Sequence, residues 1–184
     1  MKAPKGWHSR GYLPHLDSPQ LVQTVTFRLA DSLPHAVALE LKDRGDDGAR
    51  WETVLDAGHG ACWLNDPVVA GLVEEALLHF DGDRYQLIAW CIMPNHVHVM
   101  AEIGDGFQLG DIVASWKQFS ARMANRYLGR TGPFWQVDYF DRYVRDDAHF
   151  VVAMQYIESN PVQAGLVATA EAWRWSSAWR RRAA

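Results

Sequence analysis

At 184 residues the chain fits one domain, and its 48% hydrophobic content supplies a core without disulfide staples. The two cysteines, Cys62 and Cys91, lie far apart in no zinc spacing, which excludes a disulfide scaffold and predicts two reduced, buried thiols in a cytoplasmic protein. A net charge of −4 argues against a general nucleic-acid binder, although cations gather at Lys2, Lys5 and Arg10 and again at Arg174, Arg180, Arg181 and Arg182. The opening residues are polar and no apolar run reaches the roughly 18 residues of a membrane helix, so neither a signal peptide nor a span is expected.

In chain order, residues 22–29 (VQTVTFRL) alternate and are β-branched, predicting a strand. A short helix is expected over His35–Lys42, ending in the loop RGDDG. Asp66 followed by Pro67 reads as an N-cap and first helical residue, and Val68, Leu72, Ala76 and Phe80 carry a helix to about Phe80. After the turn DGD come two strands, 84–92 and 96–103, joined through MPN as an antiparallel hairpin. A long helix spans Leu109–Leu128, with Trp116, Phe119, Met123 and Tyr127 as its apolar stripe and Arg122, Arg126 and Arg130 as a basic stripe beside it. Tyr139–Arg145 predicts a last strand. Asp146 then caps a helix over Asp147–Ser159, which Pro161 ends.

This order predicts an α+β fold: a ferredoxin-like, RNA-recognition-type four-stranded antiparallel sheet with helices and an added C-terminal helix. The whole chain, 1–184, reads as a single domain, with 1–20 as an N-terminal arm and 166–184 as a C-terminal appendage.

His96 and His98 stand two apart in a predicted strand, so both rings point to one face while Val97, Val99 and Ala101 point to the other. Neutral imidazoles side by side suit a divalent metal, with Glu102 at the same parity as a ligand or supporting partner; the same pattern also describes two polar histidines on an outer sheet face. Tyr156 and Asn160 share one face of the last predicted helix, one turn apart. That pairing suits a phenol presented to phosphate beside an amide oxygen, but taken alone it reads first as a core tyrosine with an asparagine closing the helix. His149, two turns before Tyr156, reads as a packing or surface residue. Arg142 and Arg145 suit either phosphate or a neighbouring carboxylate. Of the nine tryptophans, Trp90, Trp116 and Trp135 are expected in the core, whereas Trp7 and Tyr12 lie among basic residues where base stacking is feasible.

The stretch WCIMPNHVHVMAEI resembles the His-hydrophobic-His block of single-tyrosine transposases that act on single-stranded DNA. FWQVDYFDRYVRDDAHF with MQYIESNPVQAGLV resembles the second block of the relatives associated with repetitive extragenic palindromes in bacteria (REP-associated tyrosine transposases), and RGYLPHLDSPQLVQTVTFRLADSLP resembles their N-terminal region. The resemblance implies His96, His98 and Asn160 as ligands of Mg²⁺ or Mn²⁺, and Tyr156 as the nucleophile that leaves a 5′-phosphotyrosine. It also implies hairpin-bearing single-stranded DNA as partner, a monomer or homodimer, and a bacterial cytoplasmic, nucleoid-associated location. Arg10, Tyr12, Arg122, Arg126, Arg142 and Arg145 are the expected DNA contacts. Two other readings compete: a non-catalytic nucleic-acid-binding module of the same fold, and a metal hydrolase with water as nucleophile.

Overall fold

The computed structural model describes residues 6–9, 14–18, 20–33 and 54–183. A two-stranded antiparallel sheet pairs β1 (Gly6–Ser9) with β2 (Pro14–Asp17). The main sheet contains β3 (Val22–Arg28), β4 (Tyr85–Ile92), β5 (His96–Ile103) and β6 (Phe140–Tyr143) in the order β4-β5-β3-β6, every neighbour antiparallel. With α1 (Pro67–Leu78) and α2 (Leu109–Tyr127) this is the expected ferredoxin-like arrangement, α3 (Asp147–Gln163) is the expected added helix, and α4 (Ser177–Ala183) is a further short helix that the sequence reading did not anticipate. The expected helix at His35–Lys42 lies outside the described residues. Among the described residues no helix is long and apolar enough to cross a membrane.

The sheet has two differently furnished faces. Val25, Phe27, Val97, Val99 and Ala101 enter the larger core with Val69 and Val73 of α1 and Ile112 and Trp116 of α2. The opposite face carries Met100, Ala89 and Cys91, and α3 packs on it through Ala153 and Ile157. A bulge between Leu87 and Ala89 makes this second face possible. The extra residue reverses the alternation of β4, sending small Ala89 and Cys91 toward α3 while Trp90 and Ile92 join the larger core.

Local rules explain most element ends. Asp66 caps α1 by accepting from the Val68 and Val69 amides at 2.8 and 3.4 Å, with Pro67 where a missing N–H costs nothing. Asp146 caps α3 through the His149 amide at 2.8 Å. Trp90, Trp116 and Trp135 are buried as expected, and the indole N–H groups of the last two find partners in Tyr85 Oη (2.8 Å) and Ser120 Oγ (3.0 Å).

Four expectations need correction. The buried stripe of α2 is Leu109, Ile112, Val113, Trp116, Ser120 and Ala124, while Phe119 and Met123 are half-buried and Tyr127 is exposed. Small Ser120 and Ala124 let the helix approach the sheet, and Ser120 hides its hydroxyl by donating to Trp116 O at 2.6 Å. Pro161 does not end α3, which runs to Gln163. The stop is Gly165, at φ +70°, where the Gly165 and Leu166 amides donate to Val162 O (3.0 Å) and Pro161 O (2.9 Å) as a Schellman closure. β6 is shorter than Tyr139–Arg145. Cys91 is buried, but Cys62 is only half-buried; both are free thiols.

Candidate active site

β5 delivers His96 and His98 to the face that α3 covers, at 0% and 2% exposure. Their rings stand 4.7 Å apart at 87°, with the two Nε2 atoms 3.0 Å from each other. The remaining ring nitrogens are both held. Asn95, in the β4–β5 connection, donates from Nδ2 to Leu55 O (3.1 Å) and His59 O (3.0 Å), so its Oδ1 is the acceptor for His96 Nδ1–H at 2.7 Å. That bond fixes the tautomer and leaves a lone pair on His96 Nε2. Thr26, opposite His98 in the register, places Oγ1 2.9 Å from His98 Nδ1, and a hydroxyl there serves either tautomer.

Burial, then the neighbouring His98, holds the His96 imidazole well below the ordinary histidine range, and burial brings His98 down to about 4. Both rings are therefore neutral at neutral pH and offer lone pairs rather than charge. Two nitrogens bound side by side to a six-coordinate ion at about 2.1 Å lie about 3.0 Å apart, the spacing of this pair.

Tyr156 reaches the same place from α3. Its ring centre is 5.9 Å from that of His98 at 80°, and the half-buried side chain packs with the small core around Ala89, Cys91 and Ile157. One turn on, Asn160 is 0% exposed inside the helix rather than at its end. Neither its Oδ1 nor its Nδ2 finds a hydrogen-bond partner among the described residues. A fully enclosed amide without partners is costly, which a bound cation would offset by taking the oxygen as a ligand. The donor set of two imidazoles and one amide oxygen thus fits a divalent ion. Among the described residues, no three His, Cys, Asp or Glu side chains group as a metal site by themselves.

The other anticipated residues are scattered. Glu102 is four residues along β5 from His98, roughly 13 Å at the rise of a strand, and pairs with Val22 and Gln86. His149 accepts from the Arg145 amide at 3.2 Å and belongs to the start of α3. Arg142 is exposed on the histidine face, opposite Thr24, and Arg145 is exposed just before α3. Arg122 and Arg126 are exposed on α2, in the layer across the sheet from the histidines. Arg10 and Tyr12, and the side chain of Trp7, lie outside the described residues.

Sequence reasoning missed four residues near the pair, and a fifth polar anchor, His15, toward the other face of the sheet. Asn95 and Thr26 orient the rings. Asp56, on a helical turn at 54–56, places Oδ1 3.6 Å from His96 Nε2. Arg28 sits opposite His96 on the same face; its guanidinium donates to Ser32 Oγ at 3.1 Å, and burial lowers it to about 10, still charged at neutral pH. His15 is wedged between Asp141 and Asp138 (Nε2 to Oδ1 3.1 Å), while the Leu16 amide donates to Asp141 Oδ2 at 3.1 Å, tying the small sheet to β6. The only signal was the Asn directly before His-Val-His; the rest depends on register and on contacts from distant segments.

The family model described as transposase IS200 like matches residues 70–160, the span holding both histidines, Tyr156 and Asn160. A Haemophilus influenzae protein assigned as a REP-associated tyrosine transposase is 26% identical over 103 residues, 50% of this chain and 58% of that protein. The chain thus spans less than two thirds of that relative. The solved structure of a REP-associated tyrosine transposase bound to a REP hairpin superimposes with a TM-score of 0.61 and 16% identity, covering 92% of this chain and 83% of that one, which establishes the shared fold. A Deinococcus radiodurans protein assigned as a transposase aligns at a TM-score of 0.34 with 18% identity, over 83% of this chain and 96% of that one. Over residues 70–160 the chain matches the family model of IS200-like transposases, and it is similar to the REP-associated tyrosine transposases in sequence and in fold.

Proposed function

We propose that this chain cleaves and rejoins single-stranded DNA beside palindromic hairpins, with Tyr156 as nucleophile and a divalent cation at His96, His98 and Asn160. The observation that carries the reading is the Tyr156 ring set 5.9 Å from His98, on the face where both Nε2 atoms converge. The hairpin substrate is taken from the similar solved structure, whose protein is bound to a REP hairpin.

Tyr156 attacks the scissile phosphorus in line; the P–O bond to the departing 3′-hydroxyl breaks and a 5′-phosphotyrosine forms. The bond is a phosphodiester, so a second 3′-hydroxyl can displace the tyrosine and reseal the strand without ATP. His96 and His98 stay neutral and hold their orientation through Asn95 and Thr26. Arg28 and Arg142, both on the histidine face, offer positive charge to the phosphate backbone on a chain that is acidic overall. When bound, Mg²⁺ or Mn²⁺ polarises a non-bridging phosphate oxygen and offsets charge in the transition state.

The test uses labelled hairpin-bearing single strands derived from palindromes flanking the gene. The wild type should yield a labelled protein band on a denaturing gel, and Tyr156→Phe should lose the band while still shifting DNA on a native gel. A covalent adduct formed by the Phe variant excludes Tyr156 as nucleophile. Hydrolysed product without any adduct points instead to water as the attacking group.

A further inference from the structure

On a chain whose net charge is −4, residues 172–184 gather four arginines and three tryptophans with no acidic residue among them. The structure lays this segment along β4, at one side of the main sheet. Its backbone and hydroxyls turn inward: the Ile92 amide donates to Trp175 O at 2.9 Å, and the Trp90 amide to Ser177 Oγ at 3.1 Å. The four arginines, Arg174, Arg180, Arg181 and Arg182, are all exposed.

Two of the four hold the fold. Arg174 forks onto buried Glu74 of α1 at 3.1 and 3.2 Å and lies over the rings of Trp175 and Trp179, 4.5 and 4.1 Å from their centres. Arg181 bonds Glu158 of α3. Arg180 and Arg182 meet no carboxylate among the described residues. Helical geometry, at about 100° per residue, explains the division. Ser177 and Arg181 share the side of α4 that meets Glu158, Trp179 lies opposite beside Arg174, and Arg180 and Arg182 flank Trp179.

A half-buried ring between two exposed guanidinium groups fits a polyanion that also carries planar rings. The guanidinium forks match phosphate oxygens, and the aromatic rim takes the face of a base. Its place in the fold favours the DNA of the proposed reaction, on which reading this inference rests. Glu158, which clamps α4 through Ser177 and Arg181, stands two residues after Tyr156 on α3, so the surface is braced against the helix that carries the proposed nucleophile.

We propose that Arg180 and Arg182, with Trp179 between them, form a second DNA-contact surface that grips the phosphate backbone away from the scissile bond. Arg174 and Arg181 keep the ring and the helix in place beneath it.

The test is equilibrium binding in EDTA. Fluorescence anisotropy of the labelled hairpin-bearing strand gives Kd for the full chain across a series of KCl concentrations. The wild type is compared with Arg180→Gln/Arg182→Gln and with Arg84→Gln/Arg130→Gln, which removes equal charge elsewhere. Melting reports whether each is folded; Arg182→Gln and Arg84→Gln stand in for double variants that are not, with half the expected change in slope. Losing two phosphate contacts should lower the slope of log Kd against log [KCl] by about 1.4–1.8 and weaken binding at low salt by at least about tenfold, with the comparator within about threefold of the wild type. An unchanged slope in the α4 variant, or an equal loss in the comparator, overturns the surface. A wild type that binds the strand but forms no covalent adduct when Mn²⁺ is added overturns the nucleophile reading and leaves the surface intact. A wild type that does not bind the strand overturns both.

Discussion

Replacing Asn95 by alanine tests the scaffold beneath the histidine pair. The side chain is 1% exposed and makes three hydrogen bonds, to Leu55 O, His59 O and His96 Nδ1, at 3.1, 3.0 and 2.7 Å. Each net bond contributes about 1 kcal/mol, and the groups left behind are two carbonyl oxygens and an imidazole N–H in an enclosed setting. Asn95→Ala should therefore cost about 3 kcal/mol. Urea unfolding followed by tryptophan fluorescence in EDTA would show this as a midpoint lowered by about 1.5 M at a slope of about 2 kcal/mol/M. Asn95→Asp separates the two jobs of the residue. It keeps an acceptor for His96 Nδ1 but turns a carboxylate on two carbonyl oxygens, so it should destabilise at least as much while preserving Mn²⁺ affinity better than the alanine variant. A loss below 1 kcal/mol in Asn95→Ala would refute the clamp.

Burial lowers His98 from 6.5 to about 4, so between those pH values the unfolded chain takes up a proton that the native protein does not. Stability, fully present above pH 6.5, should fall as pH drops through that window, by up to about 1.4 kcal/mol per pH unit from this ring; urea midpoints at pH 7 and 5 in EDTA check it, and an equal dependence in His98→Gln would contradict it. Gly60→Ala should destabilise by at least about 2 kcal/mol in thermal melting, because Gly60 has φ +87° and an added Cβ would lie 2.5 Å from Asp31 O. Glu158→Ala removes the acceptor of Ser177 Oγ and Arg181; with Arg181 half exposed, the cost should be about 1–2 kcal/mol, seen as faster amide exchange across 176–181.

The sheet was readable because its signals are local. Alternation in VQTVTFRL and NHVHVM assigns faces without any knowledge of partners, and the Asp66–Pro67 and Asp146 caps mark helix starts by short-range chemistry. The rotation of the α2 stripe was not readable: Phe119 and Met123 are as apolar as Ile112, and what decides between them is the shape of the sheet they meet. Pro161 misled because a proline at the end of a helical pattern is ordinarily a terminator, whereas here Gly165 supplies the closure four residues later. At the site, parity placed both histidines on one face and helical spacing placed Tyr156 one turn before Asn160, while the roles expected of them came from the family resemblance. Asp56 and Arg28 were not legible, since one arrives through a loop contact and the other through strand register.

The strand β4 forms one margin of the main sheet, and the residues after Ala172 are stitched along it. Trp175 O accepts from the Ile92 amide at 2.9 Å, the Trp173 indole donates to Ile92 O at 3.0 Å, and Ser177 Oγ meets the Trp90 amide at 3.1 Å while also donating to Glu158 of α3. One short stretch of chain thus hems a raw border that would otherwise recruit foreign strands, and at the same time braces the helix bearing the phenol from behind. Trimming those residues should leave that border open to strand addition, with the Tyr156 side chain no longer held to a fixed bearing.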